Sequence, residues 1–335
     1  MLAAYFTQTG GPEVIQFGEL PEPELRPGSV RIATRAVAVN PIDTYIRNGA
    51  NYWPLPNPYI PGSDLAGVVL EVAPGVVGLK PGMRVWCTNQ GLQGRQGTFA
   101  EQAVVDAAWV YPMTAQVPFE HAAAVALVGV TAHLGLFREA KLQAGESIFV
   151  MGGAGGVGSM VIQMAKIAGA RVLTCAGSDA KVQHCRDLGA DVVFNYQSTD
   201  LQTAILAATD GRGVDVFWET RREPNFDFSV AVMAPRGRMI LMAGRDARPV
   251  FPVGPFYVKG CRLHGFVMFA ATAAEMEVCG RDISQWLDAG VLRGLIGKRL
   301  PLSQTRQAHE LQEAATVQRT ADLMGKIVLD ALANS

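Results

Sequence analysis

The stretch Ser147 to Gly169, SIFVMGGAGGVGSMVIQMAKIAG, constrains this chain more than any other. The apolar run Ile148 to Met151 predicts a buried strand, and five glycines in the seven residues 152–158 follow it. Ser159 to Ala168 then carries apolar residues at helical spacing. Gly153, Gly155 and Gly158 fit G-x-G-x-x-G. In such a unit the first glycine lets the chain turn and the second lets backbone N–H groups approach a pyrophosphate. The third lets helix and strand pack closely. The helix N-terminus adds unpaired N–H groups and partial positive charge. As a bare string the pattern is weak. Between a strand and a helix it predicts a dinucleotide-binding unit.

At 335 residues the chain exceeds the usual size of one core, so two domains are expected. Only 18% of residues are charged and the formal net charge is −1 with no basic run, so neither nucleic acid nor an anionic membrane is an expected partner. The N-terminus MLAAYFTQTGGPE lacks the charged-then-apolar build of a signal peptide. The most apolar stretch, His121 to Phe137, holds two histidines and two glycines and reads as too short to span a bilayer. A soluble, cytoplasmic protein is expected. Cys87, Cys175, Cys185, Cys261 and Cys279 include no C-x-x-C pair. An odd count without a framework suits a reducing compartment, with no disulfide and no thiolate metal site.

Along the first 110 or so residues, VRIATRAVAVN (Val30 to Asn40), GVVLEVAPGV (Gly67 to Val76), MRVWCT (Met83 to Thr88) and GTFAEQAVVD (Gly97 to Asp106) read as short strands separated by Pro-Gly turns. They predict a mostly β domain, an open barrel. From Val117 onward the texture changes, first to helix and then to alternating strand and helix. Residues 170–177, 191–196, 213–219, 237–244 and 261–269 are the further strands. Residues 179–189, 200–211 and 226–235 are the helices between them. That alternation predicts a doubly wound parallel sheet covered on both faces, binding its ligand at the carboxyl ends of the strands where the strand order reverses. After Ala271 come two amphipathic helices and a closing strand, GKIVLD. The expected organisation is α/β: a β-rich domain of residues 1–118 with 271–335, and an inserted dinucleotide-binding domain of residues 119–270. Substrate would meet cofactor in the cleft between them.

Several motifs then combine. NPIDTYIRNG (Asn40 to Gly49), PGSDLAGVV (Pro61 to Val69), GTFAEQAVV, GVTA (Gly129 to Ala132), GGAGGVG and the closing GKIVL occur in the order and spacing of the zinc-free quinone oxidoreductases. Over essentially its whole length the chain resembles the zeta-crystallin-like branch of that group, within the medium-chain dehydrogenase/reductase superfamily. The resemblance implies a Rossmann domain inserted in a GroES-like catalytic domain, NADPH as cofactor, and reduction of quinones or related α,β-unsaturated carbonyls. It also implies a homodimer that pairs the sixth strand, CRLHGFVMF, with its copy. Two rival activities stay open: a 2-enoyl thioester reductase, and an NADPH-binding protein with a non-catalytic role. Zinc alcohol dehydrogenases of the superfamily have Cys at the position of Asn40 and a His-Glu pair at Ser63-Asp64. A catalytic Zn²⁺ needs three Cys, His or carboxylate ligands. The four-cysteine lobe of those relatives is missing, and His309-Glu310 lacks the second histidine of H-E-x-x-H, so no metal is expected. Without a metal a simple ketone is hard to activate, whereas a conjugated carbonyl spreads the developing charge itself.

The same resemblance puts Asn40, Tyr45 and Thr131 at the nicotinamide as catalytic residues, Asn40 and Tyr45 as hydrogen-bond donors. From the residues alone, Asn40 fixes a turn before Pro41, Tyr45 packs a helix edge and Thr131 bonds its own helix. Asp43 reads as a cap, and His121 and His133 as core histidines. Carried over as cofactor-lining are Tyr45 and Thr131, the turn residues Ala154, Gly155, Gly156 and Val157, and Gly177, Ser178, Lys181 and Tyr196. Met242, Ala243, Gly244 and Arg245 follow the fifth strand, Phe266, Val267 and Met268 lie in the sixth, and Lys326 opens the last. NADPH is expected over NADH because the second strand ends Thr174-Cys175-Ala176-Gly177-Ser178 with no acid at its tip. Asp179 reads as a helix cap. Lys181, Ser178 and Tyr196 match positions that relatives use around the 2′-phosphate. The plainer alternatives are a solvated lysine and a tyrosine packed on a strand end. Two stretches depart from the family. Trp218 to Asp227 carries Arg221 and Arg222, either near the cofactor or in a solvated loop. Asn48 to Pro58 carries Tyr52 and Trp53, either an aromatic lid or a packing contact.

Overall fold

The Pro-Gly punctuation of the first hundred residues favours short strands, and the chain forms them: β1 (Leu2–Tyr5), β2 (Gln16–Glu19), β3 (Ser29–Val39), β4 (Leu65–Val72), β5 (Arg84–Cys87), β6 (Gln102–Asp106) and β7 (Val110–Pro112). A short helix, α1 (Pro41–Arg47), follows β3, and α2 (Phe119–His133) follows β7. This computed structural model describes residues 1–50, 53–318 and 320–332, so Tyr52 lies outside the described residues. The chain divides into two units, Met1–Val130 with Ala271–Ser335, and Thr131–Ala270.

In the first unit the eleven-residue β3 is the splint. One of its edges pairs with β4, while β6 takes Ser29 to Ala33 along the other. Shifts of register at Arg31/Ile32 and Thr34/Ala36 bend the sheet between β3 and β4. Val30, Ile32, Val37 and Val39 turn inward and pack with Leu65, Val69, Val85 and Phe99 in the unit's core. The second unit runs as β8 (Ser147–Val150), α3 (Gly156–Ile167), β9 (Arg171–Ala176), α4 (Asp179–Asp187), β10 (Val192–Asn195), α5 (Leu201–Ala208), β11 (Val214–Glu219), α6 (Phe226–Val232), β12 (Met233–Leu241), α7 (Val253–Val258) and β13 (Arg262–Gly265). Among the described residues these strands form one parallel sheet in the order β10-β9-β8-β11-β12-β13. The order reverses between β8 and β11. All carboxyl ends therefore lie along one edge, where Phe149, Leu173, Phe217 and Met239 hold the strands from below as part of the core. The tail adds α8 (Ala273–Asp288), β14 (Ile296–Pro301), α9 (Thr305–Glu313) and β15 (Lys326–Asp330). β15 pairs antiparallel with Ala36 to Val39 of β3, and β14 lies beyond it. The last strand thereby returns to the first unit.

Three boundaries differ from the sequence reading. The units divide within α2, at Val130, rather than before Phe119. Early α2 belongs with the first unit because His121 Nδ1 lies 3.1 Å from the Gly294 carbonyl and Glu120 pairs with Arg299. The helix read as 226–235 ends at Val232, where Lys259 Nζ donates to the carbonyls of Val230, Ala231 and Met233 and so satisfies chain that α6 leaves unpaired. The sixth strand is shorter than 261–269 and gives way to a 3₁₀ turn at Met268–Ala270. With the π-helical Leu134–Glu139, α2 makes a run of 21 residues that is long and apolar enough to cross a bilayer, but 78% of its most apolar window is buried inside the protein.

His309, set aside as a zinc ligand because His309-Glu310 lacks the second histidine of H-E-x-x-H, is buried in the first unit. Helical spacing puts it on one face of α9 with Glu313. Arg47, also buried, donates from Nη2 to Glu313, from Nε to the Gly10 carbonyl, and from Nη1 toward His309 Nδ1 at 3.3 Å. Arginine cannot accept, so Nδ1 is the acceptor and the ring proton sits on Nε2. Burial, with the neighbouring guanidinium, pushes the His309 pKa down to about 3. The unfolded chain takes up a proton near pH 6.5 that the folded ring refuses, so this contribution is full above that pH and is lost as pH falls toward 3. Urea unfolding of the wild type and His309→Gln at several pH values checks this: below about pH 6.5 the wild type should lose stability relative to the variant. A pH-independent difference would refute it.

Candidate active site

The first unit gathers a buried polar cluster where β3 ends and α1 begins. Asn40 lies before Pro41, and its backbone N–H donates to Asp43 Oδ2 at 2.8 Å, as expected of an acid in a helix's first turn. Its side chain is also committed. Nδ2 donates to Asp64 Oδ2 at 2.8 Å and to the Ala38 carbonyl at 3.3 Å, while Oδ1 accepts from Lys326 Nζ. Lys326, at the start of β15, donates as well to the Val39 carbonyl at 2.6 Å and lies 3.9 Å from Asp64. Asp64 Oδ1 takes the Thr88 hydroxyl at 2.8 Å and the Leu127 N–H at 3.0 Å. Ser63 Oγ faces Asp43 Oδ1 at 3.3 Å.

Two acids and one base thus share a site closed to water. Burial pushes the Asp43 pKa up to about 7, against the pull of the Asn40 N–H and the Lys326 ammonium. It raises the Asp64 pKa too, opposed first by Lys326 and then by the hydrogen bonds from Asn40 and Thr88. It lowers the Lys326 pKa, which both carboxylates raise again. One ammonium neutralises one carboxylate, and the second acid holds its proton to near neutrality. The sequence reading located Asn40 and Lys326 but did not join them, and it gave Asp64 no role beyond its place in a motif. The available signal was an acid opening an otherwise apolar strand, Asp64-Leu-Ala-Gly-Val-Val69. Tyr45 lies half-buried further along α1, and Thr131 is buried within α2.

The second unit presents a different surface. After β8 the chain turns through Gly152 to Gly155 and enters α3 at Gly156. A Cβ on Gly158 would stand 2.3 Å from the Gly152 carbonyl oxygen, so only glycine permits this approach of helix to turn. Ser178, Asp200 and Asn225 cap α4, α5 and α6 with their side chains, whereas Gly155 gives α3 no side-chain cap. The α3 N-terminus therefore offers backbone N–H donors and the positive end of its dipole, which fits a pyrophosphate. Because the sheet is parallel, Ala154 to Val157, Gly177 and Ser178, Tyr196, Met242 to Arg245 and Phe266 to Met268 all follow strand carboxyl ends on one edge. Arg221 follows β11 on the same edge. It donates from Nε and Nη2 to the buried Glu219 at 2.7–3.2 Å and stands 5.8 Å above the Phe228 ring, so it is a fixed guanidinium rather than a free loop cation.

Comparison with known proteins follows the same division. The Alcohol dehydrogenase GroES-like domain model matches residues 26–115, and the Zinc-binding dehydrogenase model matches residues 156–280. The quinone oxidoreductase of Rattus norvegicus is 31% identical, over 98% of this chain and 97% of its own. This chain belongs to the quinone oxidoreductase family. It is an oxidoreductase with the two-domain fold of the medium-chain dehydrogenase/reductases, a GroES-like domain and a Rossmann domain. Among solved structures, an NAD-dependent alcohol dehydrogenase superposes with a TM-score of 0.89 at 29% identity, covering 99% of this chain and 100% of that one. The Escherichia coli quinone oxidoreductase complexed with NADPH superposes at 0.83 with 27% identity, covering 98% and 100%.

One matched model carries zinc in its description, and the donors here do not fit that metal. Asn40 and Ser63 are not usual Zn²⁺ ligands, and Asp64 already has a lysine ammonium beside it. Among the described residues, no three His, Cys, Asp or Glu side chains group closely enough to hold a metal. The cation of this polar cluster is the Lys326 ammonium. Removing one member of a buried pair costs about 3–5 kcal/mol, so Lys326→Met should destabilise by that order. Without the ammonium the carboxylates ionise even less readily in the fold. A folded pKa raised above the unfolded one contributes stability that is lost as pH rises, so the deficit should grow from pH 5 to pH 8. Thermal denaturation of Lys326→Met and of the neutral pair Lys326→Met/Asp64→Asn checks this. The double variant should recover part of the loss, and a single variant as stable as wild type would refute the role.

Proposed function

We propose that this enzyme uses NADPH, without zinc, to reduce quinones or related α,β-unsaturated carbonyls. The observation that carries the reading is the Lys326–Asn40–Asp64 cluster, in which an amide stands at the sequence position of a zinc relative's Cys ligand with a lysine ammonium bonded to it. A site without a Lewis acid suits an acceptor whose own conjugation spreads the charge of reduction. The nicotinamide, when bound, supplies the hydride. The chain's own contribution is to hold, orient and donate. The uncapped α3 N-terminus and its glycine turn support binding of the pyrophosphate. Asn40 has both amide hydrogens engaged within its own unit, which favours a positioning role over donation to substrate. In line with the family resemblance, we assign the phenolic O–H of Tyr45 as donor to the acceptor's developing oxyanion and place Thr131 near the nicotinamide ribose.

The Escherichia coli quinone oxidoreductase is complexed with NADPH, and this chain's own residues support the same choice. No acid stands at the tip of β9, and Lys181 lies in the first turn of the following helix. A hydrogen bond to a charged group contributes roughly 1.5–3 kcal/mol, so Lys181→Ala should weaken NADPH about tenfold to a hundredfold and leave NADH little changed. The test is calorimetric titration of both cofactors, followed by steady-state oxidation of NADPH against quinones, enones and enoyl thioesters, with and without chelator. Turnover on quinones that a chelator leaves intact is expected. Tight binding with no turnover on any acceptor would reject the enzymatic reading, and chelator inhibition would reject the zinc-free one.

A homodimer completes the proposal. β13 is the outer strand of its sheet, and Leu263 on it is exposed, as are Tyr257, Val258 and Val253 on the preceding helix. An unpaired edge beside apolar surface favours pairing with a second copy across a two-fold axis. Sedimentation velocity should give a dimer, and Leu263→Lys should shift it toward monomer. A wild type that sediments as a monomer at all concentrations would remove this claim.

A further inference from the structure

The ends of β9 and β10 carry one arrangement that the preceding reading does not use. Beyond β10 the Tyr196 N–H continues the ladder to the Ala176 carbonyl at 3.1 Å. The Tyr196 ring then covers Gly177 so closely that a Cβ there would stand 2.2 Å from the phenolic oxygen. Asn195, the last residue of β10, precedes it. Its Nδ2 donates to Asp179 Oδ1 at 2.9 Å, while its Oδ1 accepts the Gln197 N–H at 3.1 Å. The backbone donor settles which end of the amide is oxygen, so the NH₂ group faces the carboxylate. Asp179 itself begins α4, behind the Ser178 hydroxyl that caps the Lys181 N–H, and the helix dipole favours its charge there.

An acid at this strand tip is what bonds a ribose 2′-OH and repels a 2′-phosphate. Asp179 stands two residues beyond Gly177, near enough along the chain to act as that acid if its side chain were released. We propose that Asn195 is a specificity-determining positioning residue: its amide ties the Asp179 carboxylate to the end of β10 and leaves the 2′ position to Lys181. The inference rests on the reading that these strand ends take a dinucleotide bearing a 2′-phosphate. Asn195 touches no part of the cofactor in this account. It acts by placing a charge.

The experiment measures dissociation constants for NADPH and NADH by titration of the purified full-length protein, as wild type, Asn195→Ala, Asp179→Asn and the double variant. Asn195→Ala should weaken NADPH by about threefold to tenfold, the range of one ordinary hydrogen bond, with NADH unchanged or tighter. Asp179→Asn in the same chain should restore the wild-type ratio, because the amide carries no charge to repel phosphate. A merely structural role would lower both affinities together and would not be rescued by removing the acid. Equal losses for both cofactors, or a double variant that keeps the altered ratio, would overturn the inference while leaving the cofactor reading intact. A wild type that prefers NADH would overturn the cofactor reading, and this inference with it.

Discussion

A single buried ammonium organises the first unit. Lys326 begins the last strand, yet its Nζ reaches the final carbonyl of β3, the Asn40 side chain and the neighbourhood of Asp64. It therefore joins the two ends of the sequence at the point where β3 gives way to α1. Backbone pairing of β15 with β3 brings the strand there, and the charge gives the junction a counter-ion. Isolated, either partner would be costly to bury. Together, and with Thr88 and the Leu127 N–H on the remaining oxygen, the cluster is closed.

The same closure limits the chemistry. An asparagine whose amide is fully engaged is a strut, and a cation inside a ring of hydrogen bonds is no Lewis acid. What the first unit retains is a rigid, buried polar cluster. The second unit contributes the complementary property, a set of backbone ends left open. Parallel strands bring six turns to one edge, and the glycine turn before α3 leaves N–H groups unmatched by any side-chain cap. A rigid polar cluster thus characterises the first unit, and open backbone donors characterise the second.

Much of this was legible from residue order. The strand–glycine–helix unit specifies its own turn, because a Cβ on Gly158 has no room beside the Gly152 carbonyl. Alternating patterns predicted the parallel sheet, and the Asp43 cap follows from its place in the first turn of α1. Other features carried no local signal. Lys259, distant in sequence, donates to the carbonyls of Val230, Ala231 and Met233 at the end of α6, and nothing within FDFSVAVMAP announces that contact. Nothing near His309 in the sequence announces that Arg47, 262 positions away, lies against its ring.

The sequence by itself determined the class of fold, the nucleotide turn and the missing zinc ligands, since each depends on residues near one another or on the chemistry of single side chains. Only the tertiary structure decided what those side chains are doing. Asn40 became a strut, Lys326 the internal cation and Asp179 a tethered acid through partners 24, 286 and 16 positions away in the chain. The physical reason is that burial and hydrogen-bond satisfaction are properties of a closed surface. A charge has no settled role until the groups that share its enclosure are known.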